Sequence, residues 1–140
     1  MSSTAAAPIS GVSVNSTLIL YVYIAFGGAA GACLRYFVTN TVDSCFGKQF
    51  PFGTLTVNVV GSFLLAIVYG LIEHGSWAEF PHRAFVGVGL LGAFTTFSTF
   101  SLETLTLLEN GLWEKAMINI LLNVFACLLA GWTAILLVKG

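Results

Sequence analysis

The sequence predicts an all-α integral membrane protein with four transmembrane helices per subunit. Three observations predict this class. The 140-residue chain is 57% hydrophobic and only 8% charged, whereas a soluble domain carries about 25% charged residues. The apolar residues fall into four runs of about the 20 residues that a span needs. Nearly all the charges lie between those runs, so the helices lack the charged outer face that a soluble bundle requires.

The elements follow in order. Residues 1–16 are small and polar and lack the basic start of a signal peptide, so they are expected to be a loose tail before an uncleaved span. The spans are expected at 17–37, 53–72, 83–108 and 116–138, forming one domain over 17–140. The first ends near Arg35. Asp43, Gly47, Lys48 and Pro51 mark the first loop, and residues 73–81 and 109–115 the other two. Gly27 and Gly31 in the first span, and Gly87, Gly89 and Gly92 in the third, form small-residue faces that let helices approach closely in lipid. Such faces serve packing within one subunit or between subunits.

Charge leaves the orientation open. Four spans put both termini on one side, with Arg83 and Lys139. Lys48 and Lys115 lie on the other, with Arg35 at the inner end of the first span. Cytoplasmic loops normally carry the excess of Lys and Arg, and here the two sides almost balance. Either the small numbers carry no signal, or the chain inserts both ways and pairs antiparallel with itself.

Several function classes are excluded. A net charge of −1 does not suit nucleic acid. Cys33, Cys45 and Cys127 are odd in number and lack metal-type spacing with His, so they read as small apolar fillers. There is no nucleophile–base set, and His74 and His82 lie in or beside a loop, so the chain does not read as an enzyme.

Polar residues inside the spans carry the functional signal. Thr54, Asn58 and Ser62 repeat every four residues in the second span, and Asn119, Asn123 and Cys127 do so in the fourth. Each set lines one helical face. In the third span, GAFTTFSTFS (92–101) places Thr95, Thr96, Ser98, Thr99 and Ser101 among Phe97 and Phe100. An unpaired amide in hydrocarbon costs a few kcal/mol, so the stripes are either interhelical glue or a polar pathway. The pathway is expected to have no mid-membrane Asp, Glu, Lys or His, with Glu103 at the edge of its run, which argues against a proton relay. Amides, hydroxyls and the positive rims of Phe rings suit a small anion.

GGAAGACLRY (27–36), GTLTVNVVGSF (53–63) and GLLGAFTTFSTFSLE (89–103) resemble the Fluc, or CrcB, family of bacterial fluoride channels. The resemblance implies an antiparallel, dual-topology homodimer in the bacterial inner membrane, with two pores that pass fluoride passively and confer fluoride resistance. It implies that Asn58, Phe97 and Phe100 line the pore and that Ser98 and Thr99 supply polar pore or support groups. Glu103 falls on the family's vestibule glutamate, and Arg35 on its arginine at the end of the first helix. The third helix is expected to break near its middle, where the Gly92 and Thr95 carbonyls would hold a structural Na+ on the dimer axis. Thr95, Thr96 and Ser98 would satisfy the interrupted backbone. The fourth span departs from the family's hydroxyl pattern: Asn123 and Cys127 stand at those positions, and Asn119 where some members have tyrosine. Asn123 can donate through its amide, and Cys127 is a weak donor. The alternative is a small multidrug-type proton-coupled exporter, which needs a membrane carboxylate that the first span lacks.

Overall fold

A computed structural model of the chain describes residues 14–73, 75 and 82–140. The described residues form helices and turns without strands, and four helical runs are long and apolar enough to cross a membrane. We label the helices α1 (Val14–Phe46), α2 (Phe52–Glu73), α3 (residues 83–94), α4 (Phe97–Glu109) and α5 (Trp113–Lys139). Helices α3 and α4 share the third run.

Helix α1 is longer than its apolar run. Of the expected tail, residues 1–13 lie outside the described residues, and the helix is already formed at Val14. At the other end it overruns residue 37 and takes in Asp43, which sequence places in a loop. Its polar end stays helical because side chains bond back to the previous turn. Asn40 Nδ2 donates to the Tyr36 carbonyl at 2.9 Å, Thr41 Oγ1 to Phe37 at 2.8 Å and Ser44 Oγ to Asn40 at 2.6 Å. Gly47, at φ 82°, then closes the helix with its N–H on the Asp43 carbonyl. Arg35 is therefore not at the helix end. It lies about 16 Å short of it at an α-helical rise.

Gly111 (φ 73°) ends α4 with the paired bonds of a Schellman turn. Its N–H meets the Leu108 carbonyl at 3.0 Å, and Leu112 N–H meets Leu107 at 2.9 Å. Lys115 Nζ ties this turn to the first loop by donating to the Gln49 carbonyl at 3.1 Å. At the other end, Lys139 Nζ stands 3.9 Å from Glu73 Oε2.

Helix α1 packs on α3, and α2 on α5. The α1–α3 approach depends on glycine. A Cβ on Gly27 would run into the Phe85 carbonyl oxygen, one on Gly31 into that of Leu90, and one on Gly89 would stand 2.9 Å from that of Ile24. These glycines therefore serve packing within one chain. Gly28 has nothing within 4 Å of such a Cβ, and Gly92 meets only the Gly87 carbonyl at 3.7 Å. The buried apolar set is small (Val57, Val68, Ala84, Leu91, Phe94, Phe100, Ala116, Ala134), while Tyr21, Phe26, Phe37, Leu129 and Leu137 are exposed. An apolar exterior around a thin core is what a lipid solvent allows.

Candidate functional site: a polar seam across the third run

The backbone leaves helical geometry at the middle of the third run. Helix α3 ends at Phe94, Thr95 (φ −85°, ψ 158°) and Thr96 (φ −152°, ψ 117°) are extended, and α4 begins at Phe97. Non-helical backbone at membrane depth survives only where its polar groups find partners inside the protein. Asn58 of α2 supplies two: its Oδ1 accepts Thr96 N–H at 2.8 Å, and its Nδ2 donates to the Thr96 carbonyl at 3.1 Å. Thr96 Oγ1 caps α4 by accepting Thr99 N–H at 3.2 Å. Thr95 Oγ1 donates to the Leu91 carbonyl at 3.4 Å. Ser98 is placed differently from its expected backbone role, with its Oγ 3.3 Å from Thr96 Oγ1.

In an uninterrupted helix, Thr96 and Thr99 N–H would donate to the Gly92 and Thr95 carbonyls. Here those donors go to Asn58 Oδ1 and Thr96 Oγ1 instead. The side chain of Thr95 also fits against α2 because position 61 is glycine: a Cβ there would run into Thr95 Cγ2 and stand 3.2 Å from Phe94 Cδ1.

The stripes of the second and fourth spans meet at Asn58 and Asn123. Asn58 Nδ2 donates to Asn123 Oδ1 at 2.9 Å, and Ser62 and Cys127 line the same groove. Thr54 Oγ1 donates to Glu103 Oε1 at 2.8 Å, while Glu103 Oε2 is buried without a hydrogen-bond partner among the described residues. Asn123 Nδ2 donates to Asn119 twice, to its carbonyl at 3.1 Å and its Oδ1 at 2.9 Å. Asn119 Nδ2 in turn donates to Thr104 Oγ1 at 2.9 Å, and Thr104 Oγ1 to the Phe100 carbonyl at 2.7 Å.

Two cavities flank this seam. A groove of about 910 Å³ is lined by Asn58, Thr95, Phe97, Phe100, Asn123 and Cys127, with Tyr69 and Trp132 among its further walls. The rings of Phe97 and Phe100 stand 5.4 Å apart at 57°. Phe100 is 8% exposed and Phe97 78%. A smaller cavity of about 240 Å³ is lined by Arg35, Thr39, Thr54, Thr96 and Thr99. Thus Asn58, Phe97, Phe100 and Asn123 share one groove, and Arg35 and Thr99 share the other cavity. Glu103 joins the seam through Thr54, and Gly92 lies exposed on α3.

Three contributors escape a reading of stripes alone. Thr104 follows Phe100 by one helical turn, a spacing that could have marked it. Gly61 sits between Asn58 and Ser62, where only its tertiary neighbour explains it. Asp43 Oδ1 accepts Gly53 N–H at 2.9 Å and so caps α2 from the end of α1. Among the described residues, no group of three or more His, Cys, Asp or Glu could hold a metal ion.

Together these features define a class: a multi-pass helical membrane protein whose intramembrane polar groups converge on one extended segment. A family model described as CrcB-like protein, Camphor Resistance (CrcB), matches residues 22–135. A fluoride-specific ion channel FluC of Alteromonas mediterranea is 72% identical over 123 residues, covering 88% of this chain and 97% of its own length. Proteins of the same name from Pseudoalteromonas translucida and Shewanella denitrificans are 50% and 54% identical, covering 82% and 76% of this chain and 96% and 86% of their own lengths. The chain belongs to the CrcB-like family.

Proposed function

We propose that this chain is a fluoride-selective passive ion channel and not an enzyme. It would export fluoride across the bacterial inner membrane and so confer fluoride resistance. The observation that carries the reading is the groove lined by both Asn58 and the Phe97–Phe100 ring pair, in a chain that spans 97% of a relative named for fluoride-specific conduction. Fluoride holds its water tightly, so a pore must replace that shell with donors. Amides, hydroxyls and ring rims do this without a cation that would trap the ion. Ser98, Thr99 and Asn123 extend the polar path from Asn58, Glu103 is the vestibule carboxylate, and Arg35 has a structural role on α1.

The third span acts in this reading as a broken helix, which the extended Thr95 and Thr96 support. The working unit is an antiparallel, dual-topology homodimer with two pores. Support comes from the balanced charges and from Phe97, whose 78% exposure leaves a pore ring without a wall on one side. The Gly92 and Thr95 carbonyls, relieved of the Thr96 and Thr99 donors, fit a hard cation such as Na+. Two oxygens are too few for it, so a second copy would complete the set. When bound, the ion would supply positive charge near the anion path.

The test is efflux from liposomes holding the purified protein, read with fluoride and chloride electrodes while a potassium ionophore clamps the voltage. Rapid fluoride efflux without chloride efflux is the expected result. Fluoride efflux that required a proton gradient would instead favour the coupled exporter, with Glu103 as its titrating carboxylate.

A further inference from the structure

The groove presents a difficulty for an anion. The Asn58 amide has two protons, and both have protein acceptors: the Thr96 carbonyl and Asn123 Oδ1. Asn123 offers no proton in compensation, because both of its own go to Asn119. In this arrangement an oxygen already sits at the donor that fluoride would use.

The hydrogen bonds run head to tail. Thr96 N–H donates to Asn58, Asn58 to Asn123, Asn123 to Asn119, Asn119 to Thr104, and Thr104 to the Phe100 carbonyl. The first group can only donate and the last can only accept. That polarity sets which way each amide between them points, and linked bonds of this kind reinforce one another. Asn119 is fully buried and Thr104 is 7% exposed, so water does not compete for either.

We propose that Thr104 and Asn119 are positioning residues that hold the Asn123 carbonyl oxygen on Asn58 as a latch, which fluoride must displace to reach the Asn58 amide. The role rests on the fluoride-conduction reading above. Fluoride, as an anion, makes the stronger, charge-assisted bond, so it wins the exchange at a cost set by the relay. A site that is open for only part of the time shows an apparent affinity reduced by that fraction. Weakening the relay away from the groove therefore tightens the apparent affinity.

The experiment measures the fluoride concentration giving half-maximal efflux from liposomes, for the full chain and its variants. Thr104→Val keeps the side-chain shape and removes the hydroxyl. It is expected to lower the half-maximal concentration roughly three- to ten-fold, the worth of one neutral hydrogen bond. Thr104→Ser is expected to restore the wild-type value. Asn123→Ala, which removes the latch oxygen itself, is expected to shift it in the same direction as Thr104→Val and carries the test should that variant fail to fold. A merely structural Thr104 would lower thermal stability and maximal rate and leave the half-maximal concentration in place. An unchanged value in conducting Thr104→Val or Asn123→Ala protein overturns the latch. A wild-type chain with no fluoride efflux overturns the conduction reading itself, and this role with it.

Discussion

The Phe97–Phe100 pair shows why residues of one type at one helical spacing should not respond alike to substitution. Both border the groove, yet Phe100 is packed inside the chain and Phe97 stands clear of it. Phe97→Ile should depress fluoride efflux with the chain's thermal stability nearly unchanged. Phe100→Ile should depress efflux and stability together, because reshaping a buried side chain costs on the order of 1 kcal/mol. Thermal unfolding in detergent beside liposome efflux separates the two, and equal stability losses would contradict the packing described. Gly61 is the opposite case, a residue that acts by having no side chain. The Cβ of Gly61→Ala would occupy the space of Thr95 Cγ2. Overpacking of that kind costs about 1–3 kcal/mol, and here it falls on the extended segment, so fluoride efflux should drop several-fold while the helix content persists by circular dichroism. Undiminished efflux would show that Thr95 can move aside freely.

At the scale of elements, the four spans were legible because lipid selects composition over long windows. Their ends were not. The polar stretch from Asn40 to Ser44 looks like a loop by hydropathy, but its side chains bond to their own helix and carry α1 on to Phe46. The interruption at Thr95 and Thr96 leaves no mark in periodicity either, since Thr is tolerated in a helix. The feature that holds it is Asn58, 38 residues away in sequence, and only the family resemblance pointed there. The stripes themselves were legible as lines of polar residues, and the Asn58–Asn123 bond between α2 and α5 follows from the cost of an unpaired amide in hydrocarbon. The direction of each amide was not, because it depends on Thr104 at the far end of the relay. The glycine faces were legible as contacts but not as contacts with a particular partner. The α1–α3 seam now gives them one: Gly31→Ala would press a methyl group into the Leu90 carbonyl. Backbone cannot swing away as a side chain can, so α1 must separate from α3, with a loss of about 2 kcal/mol or more and a sharp fall in folded yield on size exclusion. A Gly28→Ala control should behave as wild type, because nothing lies within 4 Å of that added methyl. Equal yields from both variants would mean that the seam is looser than described.

At the scale of the whole molecule, the placement of Arg35 sharpens the question of orientation. Sequence counted it near a helix end, where it could join the topogenic charges. It instead lines the smaller cavity with Thr39 and Thr54, well inside α1, and orientation is governed by charges close to the ends of the spans. Removing it leaves Lys48 and Lys115 at one end against Arg83 and Lys139 at the other, an even balance. A chain balanced in this way should be pushed into either orientation by few changes. Gln49→Arg with Asn110→Arg adds two positive charges at the first end. Glu73→Lys with Gly140→Lys does so at the second, at small cost to stability, since the exposed Glu73–Lys139 pair is worth little. If the functional unit is antiparallel, neither locked variant should confer fluoride resistance on a sensitive bacterium when expressed alone, and the two together should restore it. Resistance from either locked variant alone would mean that one orientation suffices. The groove left open beside Phe97 would then have to be closed by a parallel copy or by lipid.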